Sequence, residues 1–128
     1  TALGEAFGPG SHGTTFGGNK LGMVVASEIL DNLSSEILVA SQQRSQQLFA
    51  GLNEIKSDKI SEIRGKGLMI GIELQPDISV AEIVEDLEVE GLLALRAGAN
   101  TLRLLPPLII SEEEITLGLE KLTKVLEK

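Results

Sequence analysis

The segment from Gly10 to Asn19, GSHGTTFGGN, constrains this chain more than any other stretch. Four glycines, two threonines, a histidine and an asparagine share ten positions, and a long apolar periodic run follows from Leu21. Glycines let a backbone adopt positive φ and come close to another surface. Hydroxyls and free N–H groups just ahead of a helix start form a seat for an anion, commonly a phosphate. The same residues also allow a plainer reading, a glycine-rich turn in which Thr14 and Thr15 bond only their own backbone.

Asn19 is a good helix N-cap. Leu21, Val25, Ile29 and Leu33 recur at helical spacing, which predicts a helix over about 20–33, extendable through Ile37 and Val39 toward Ser41. Leu48, Leu52 and Ile55 carry a helical stripe through and past the Gln- and Ser-rich stretch at 42–47. A helix to about Lys56 is therefore expected there, not a linker. The period then changes. Residues 60–74, ISEIRGKGLMIGIEL, mix β-favouring residues with three glycines, the pattern of one strand with a kink or bulge near Gly65 to Gly67. Ser79 with Glu82 and Ser111 with Glu114 have capping-box spacing. They open two further helices, and Gly91 is placed to stop the first of them. Leu92 to Arg96 and Thr101 to Leu105 read as two short strands joined by a hairpin-length connection, ended by Pro106 and Pro107. The expected fold is a small α/β (α+β) domain. Helices pack on one face of a three-stranded, mainly antiparallel sheet, led in by a Gly-rich arm and a long helix.

Charge and composition exclude several functions. A formal net charge of −8 argues against binding a nucleic-acid backbone. With no cysteine and a single histidine, His12, the chain offers no disulfide framework and no metal site. No apolar run approaches the roughly 20 residues of a membrane span, so a soluble, cytoplasmic protein is expected. His12 has no carboxylate or nucleophile nearby in sequence and reads as a structural loop residue. Lys20 lacks the spacing of a phosphate-binding GxxxxGK[ST] loop. Arg103 is the second strong signal. In TLRLLPP, period-2 alternation puts it with Thr101 and Leu105 on one face, opposite Leu102 and Leu104. An arginine among apolar neighbours needs a partner, because an unpaired buried charge is costly. On sequence alone Arg103 reads as an internal salt-bridge partner or a snorkelled edge residue. Arg64, Arg96 and the carboxylates between Glu82 and Glu90 read as structural or solvated.

The order HGTTFGGN at 12–19 resembles the HG-[S/T]-T-[F/Y]-GGN signature of the class III pyridoxal-phosphate (PLP) aminotransferases, the acetylornithine and ornithine aminotransferase group. The RGKGL segment at Arg64 and the LRLLPPLIIS segment at Leu102 resemble further stretches of that family, so the likeness covers essentially the whole chain. The resemblance implies that Thr15, with Thr14 beside it, contacts the phosphate of PLP held by the partner subunit of a homodimer. It implies that Arg103 binds the α-carboxylate of amino-acid and 2-oxo-acid substrates. It further implies that residues 1–40 end a large PLP-binding domain and that 41–128 form the C-terminal small domain. The family's Schiff-base lysine belongs upstream, and no lysine here stands in a matching context. The chain is therefore expected to be an excised C-terminal portion of the enzyme, inactive alone. A non-catalytic anion-binding or dimerisation module is the alternative.

Overall fold

The computed structural model describes residues 13–128, so His12 and the start of the Gly-rich segment lie outside the described residues. The chain divides into two units, one ending at Ser34 and the other running from Ser35 to Lys128.

In the first unit a turn leads into α1 (Lys20–Asn32). The Asn19 side chain caps it, accepting from the Gly22 N–H at 2.9 Å. Among the described residues α1 buries none of its side chains, and Leu21, Val25 and Ile29 lie exposed along one side. The helix stops where Asn32 turns its amide back onto the Glu28 carbonyl at 2.8 Å. Leu33 is a non-helical cap, and the Ser34 N–H bonds the Asn32 carbonyl at 2.9 Å. The expected extension toward Ser41 is thus interrupted. Asn and Ser side chains compete for backbone groups and favour helix ends over interiors, and the next helix begins afresh at Ser35.

The second unit contains α2 (Ser35–Glu54), β1 (Ile60–Lys66), β2 (Met69–Leu74), α3 (Val80–Val89), β3 (Leu95–Ala97), β4 (Thr101–Leu104) and α4 (Glu112–Leu126). The four strands form one sheet in the order β1-β2-β4-β3, every neighbouring pair antiparallel. This is the expected α+β arrangement with one strand more than predicted. The run 60–74 is a hairpin, not a single kinked strand. Gly67, with φ +60°, opens a two-residue turn between the paired Lys66 and Met69, the geometry in which glycine is favoured at the first central position. The ladder irregularity lies at the far end, between Ile60 and Glu62.

Alternation gives the sheet two different faces. Ile70, Ile72, Leu74, Leu102 and Leu104 point to one side and form the core with Leu52 of α2, Leu87 of α3 and Ile115, Leu122 and Val125 of α4. Two of the helices are closed as their sequences predict. Ser111 and Glu114 complete a reciprocal capping box on α4. Gly91, at φ +78°, ends α3 in a Schellman arrangement, with the Leu92 N–H bonding the Leu87 carbonyl at 2.8 Å. Ser79 caps α3 by accepting from the Glu82 N–H, without the return bond from the Glu82 side chain that would complete the expected capping box. All three helices of this unit pack on the core face, and none of them covers the opposite face of the sheet.

Candidate functional site

The uncovered face carries Arg103. Register sets Arg103 of β4 opposite Gly71 of β2 and Leu95 of β3, and sets Thr101 opposite Glu73 and Ala97. On the far side of β2, Arg64 of β1 also pairs with Gly71. Arg64, Lys66, Met69, Gly71, Thr101 and Arg103 line a shallow depression of ≈ 400 Å³. Gly71 helps to keep it open, since a Cβ there would lie 2.9 Å from Thr101 Cγ2.

The two arginines on this face are in opposite electrostatic states. Arg64 is paired: Nη1 donates to Glu62 Oε2 at 3.1 Å and Nη2 to Glu73 Oε2 at 2.8 Å. The buried Thr101 hydroxyl donates to the same Glu73 oxygen at 2.5 Å and accepts from Arg64 Nη2 at 3.2 Å. The Thr101 bond and then the Arg64 bond hold the Glu73 carboxyl below its ordinary pKa, while Glu73 raises that of Arg64. Arg103, by contrast, makes no hydrogen bond or ion pair among the described residues, and its Nε is buried without a partner. Among the described residues no carboxylate forms the internal salt bridge that the sequence left open for Arg103. A half-buried guanidinium with an orphaned donor has hydrogen-bonding capacity left over, and a planar fork of this kind suits a carboxylate.

Thr14 and Thr15 lie in the first unit at the turn before α1. The Gly17 N–H bonds the Thr14 carbonyl at 3.2 Å and the Asn19 N–H bonds the Phe16 carbonyl at 3.1 Å. Both threonines are exposed, and neither hydroxyl makes a hydrogen bond among the described residues. A Cβ at Gly13 or Gly18 would meet nothing within 4 Å, whereas one at Gly17 would lie 2.7 Å from Thr14 Cγ2. Free hydroxyl donors on an exposed glycine-rich turn fit a phosphate.

The remaining polar signals are structural. Arg96 is exposed on the three-residue edge strand β3. Glu90, at the end of the acidic run on α3, is held below its ordinary pKa by Lys124 at 2.6 Å. Among the described residues no cluster of metal-ligating side chains occurs, and no helix is long and apolar enough to cross a membrane. Sequence reasoning missed Glu73 and the hydroxyl role of Thr101. A glutamate alternating with Ile72 and Leu74 in β2 was the available signal, but the cross-strand register that joins it to Thr101 and Arg64 was not.

Comparison with known proteins gives a consistent picture. The aminotransferase class-III family model matches residues 1–126. The acetylornithine aminotransferase of Lactiplantibacillus plantarum is 41% identical over 126 residues, covering 97% of this chain and 32% of that protein. The acetylornithine aminotransferase of Bacillus subtilis is 45% identical over the same coverage of each. The acetylornithine aminotransferase structure from Elizabethkingia anophelis superposes with a TM-score of 0.78 at 33% identity, covering 98% of this chain and 34% of that one. The Toxoplasma gondii ornithine aminotransferase, whose structure reveals partial occupancy of PLP at its active site, gives a TM-score of 0.81 at 31% identity, covering 99% and 31%. The chain spans about a third of the length of the curated relatives it matches.

Proposed function

This chain belongs to the class-III aminotransferase family, and we propose that it is the C-terminal part of an acetylornithine aminotransferase, moving an amino group from N-acetylornithine to 2-oxoglutarate in arginine biosynthesis. The observation that carries the reading is the unpartnered Arg103 guanidinium in an open depression. Both substrates carry an α-carboxylate, the ligand such a fork binds in two parallel hydrogen bonds. Arg103 binds and orients them from a rigid interior strand, which limits their freedom before reaction. The compact unit that begins at Ser35 supports a separate small domain, assigned to 41–128, with 1–40 ending the large domain.

Thr15, with Thr14 beside it, would hold the phosphate of PLP bound in the partner subunit of a cytoplasmic homodimer. When bound, PLP supplies the electron sink that makes the substrate's α-proton removable. Holding the phosphate and holding the carboxylate are the two tasks assigned to these residues. Thr15→Ala in the full-length protein should weaken PLP binding by about 1–3 kcal/mol, the cost of a lost hydrogen bond to a charged group. That is a loss of roughly 5–150-fold in affinity. Titration of the apo protein with PLP measures it, and an unchanged affinity would leave Thr15 a turn residue.

The substrate assignment is tested by presenting N-acetylornithine, ornithine, succinylornithine and 4-aminobutyrate in turn, each with 2-oxoglutarate. Glutamate formation should proceed with the highest kcat/KM on N-acetylornithine. A preference for one of the other donors would move the protein to another member of the family. A full-length protein that turns over none of them would favour an anion-binding module.

A further inference from the structure

Gly71 of β2 stands between Arg64 of β1 on one side and Arg103 of β4 on the other. Side chains opposite each other on neighbouring strands normally pack together, so a glycine here leaves a gap in the row. The gap is filled from the next outward-facing position along β4. A Cβ built on Gly71 would lie 2.9 Å from Thr101 Cγ2 and 4.0 Å from Arg64 Cγ. The Thr101 methyl thus takes the place of the missing side chain. Gly71 is not among the glycines with positive φ, so its backbone does not demand glycine. What stands in the way of a side chain is the methyl. That methyl is in turn held where it is. Threonine is stiff at χ1, and the buried Thr101 hydroxyl donates to Glu73 Oε2 at 2.5 Å and accepts from Arg64 Nη2 at 3.2 Å. With the oxygen bound on that side, the methyl points over Gly71.

Arg103 is the neighbour this arrangement affects. An arginine stem is rich in rotamers, and beside an unfilled glycine it would have room to fold down across β2. Leu95 of β3 stands opposite Arg103 on its other side. Closing the space over Gly71 removes one direction in which the stem could lie, in keeping with the burial of its Nε. We propose that Thr101 is a positioning residue whose methyl, held over Gly71 by Glu73 and Arg64, keeps the Arg103 guanidinium aimed at the carboxylate of an amino or oxo acid. This role rests on the reading of Arg103 as the substrate-carboxylate arginine. It concerns the aim of the guanidinium and holds whichever carboxylate meets it. The gain is preorganisation: a side chain already restrained loses less freedom when the ligand arrives.

The test uses the full-length protein. Thr101→Ser keeps the hydroxyl and removes the methyl. It should raise KM for both the amino donor and 2-oxoglutarate roughly two- to tenfold, the cost of immobilising one rotamer-rich side chain. Turnover at saturation should change less than KM, and PLP affinity should stay as in the wild type. Thr101→Val keeps a methyl branch and loses the hydroxyl, so it should raise KM less than Thr101→Ser does. The reverse order would assign the effect to the hydroxyl and overturn the proposal. Adding Gly71→Ala to Thr101→Ser supplies from β2 the methyl taken from β4, and both KM values should move back toward the wild-type level. An unchanged KM in Thr101→Ser, with only a lowered melting temperature, would make Thr101 structural and also overturn the proposal. Arg103→Ala separates this role from the reading beneath it. Wild-type kinetics in Arg103→Ala would sink the carboxylate reading itself. If KM rises there and Thr101→Ser still adds its full effect in that background, the positioning role alone fails, because the methyl would have nothing left to act through.

Discussion

Replacing Arg103 with alanine in the full-length protein should lower kcat/KM for both the amino donor and 2-oxoglutarate by about 2–5 kcal/mol, the range for truncating one partner of a buried charge pair. The loss corresponds to roughly 30- to 5000-fold. Arg103→Lys should recover little of it, because an ammonium is a point charge and cannot reproduce the two parallel bonds of a guanidinium fork. PLP affinity should change little in either variant, since the phosphate is assigned to Thr14 and Thr15 at the turn before α1. The expectation follows from the state of the side chain. Arg103 occupies an interior strand, its Nε is buried without a partner, and the nearby carboxylate is committed to Arg64 and Thr101. Near-wild-type kinetics with a lowered melting temperature would make Arg103 a structural residue instead.

Arg103 also marks where sequence reasoning works and where it stops. Period-2 alternation in TLRLL is enough to put Arg103 and Thr101 on one face and Leu102 and Leu104 on the other, and the sheet has that arrangement. Alternation is a local property, and it cannot reveal whether a carboxylate waits across the sheet. That depends on β4 lying next to β2 in a register that joins Thr101 to Glu73 and Arg103 to Gly71. The same limit explains the hairpin. Gly65, Gly67 and Gly71 in one β-favouring run permit either a bulged strand or a tight turn. Only the pairing of Lys66 with Met69 decides between them. Where the signal is local and chemical, as in the Ser111 and Glu114 capping box or the Asn19 cap, residue types alone suffice. The exposed apolar stripe of α1 is the reverse case. Its helical spacing was readable, but spacing does not say what a stripe packs against.

The second large effect belongs to the core that holds the Arg103 strand in place. Ile72 is fully buried at the centre of β2, paired with Ile63 on one side and Leu102 on the other. Ile72→Ala removes methyl groups from a position where neither the sheet nor the helices above it can close the gap. It should therefore cost about 2–5 kcal/mol. Domains of this kind have roughly 5–15 kcal/mol in total, so the midpoint of urea unfolding of the 128-residue chain should fall steeply. Leu93→Ala is the control, a comparable loss of side-chain volume at a residue that is 84% exposed. It should shift stability by less than about 0.5 kcal/mol. Equal effects at the two sites would mean that the sheet is not packed as described. The contrast also bears on the site. Leu102 is the cross-strand partner of Ile72 and the residue immediately before Arg103. A cavity under Ile72 loosens β4 at the point where the guanidinium is aimed, so Ile72→Ala in the full-length protein should raise KM for the oxo acid even at temperatures where it remains folded. Leu93→Ala should not, because its side chain supports neither β2 nor β4.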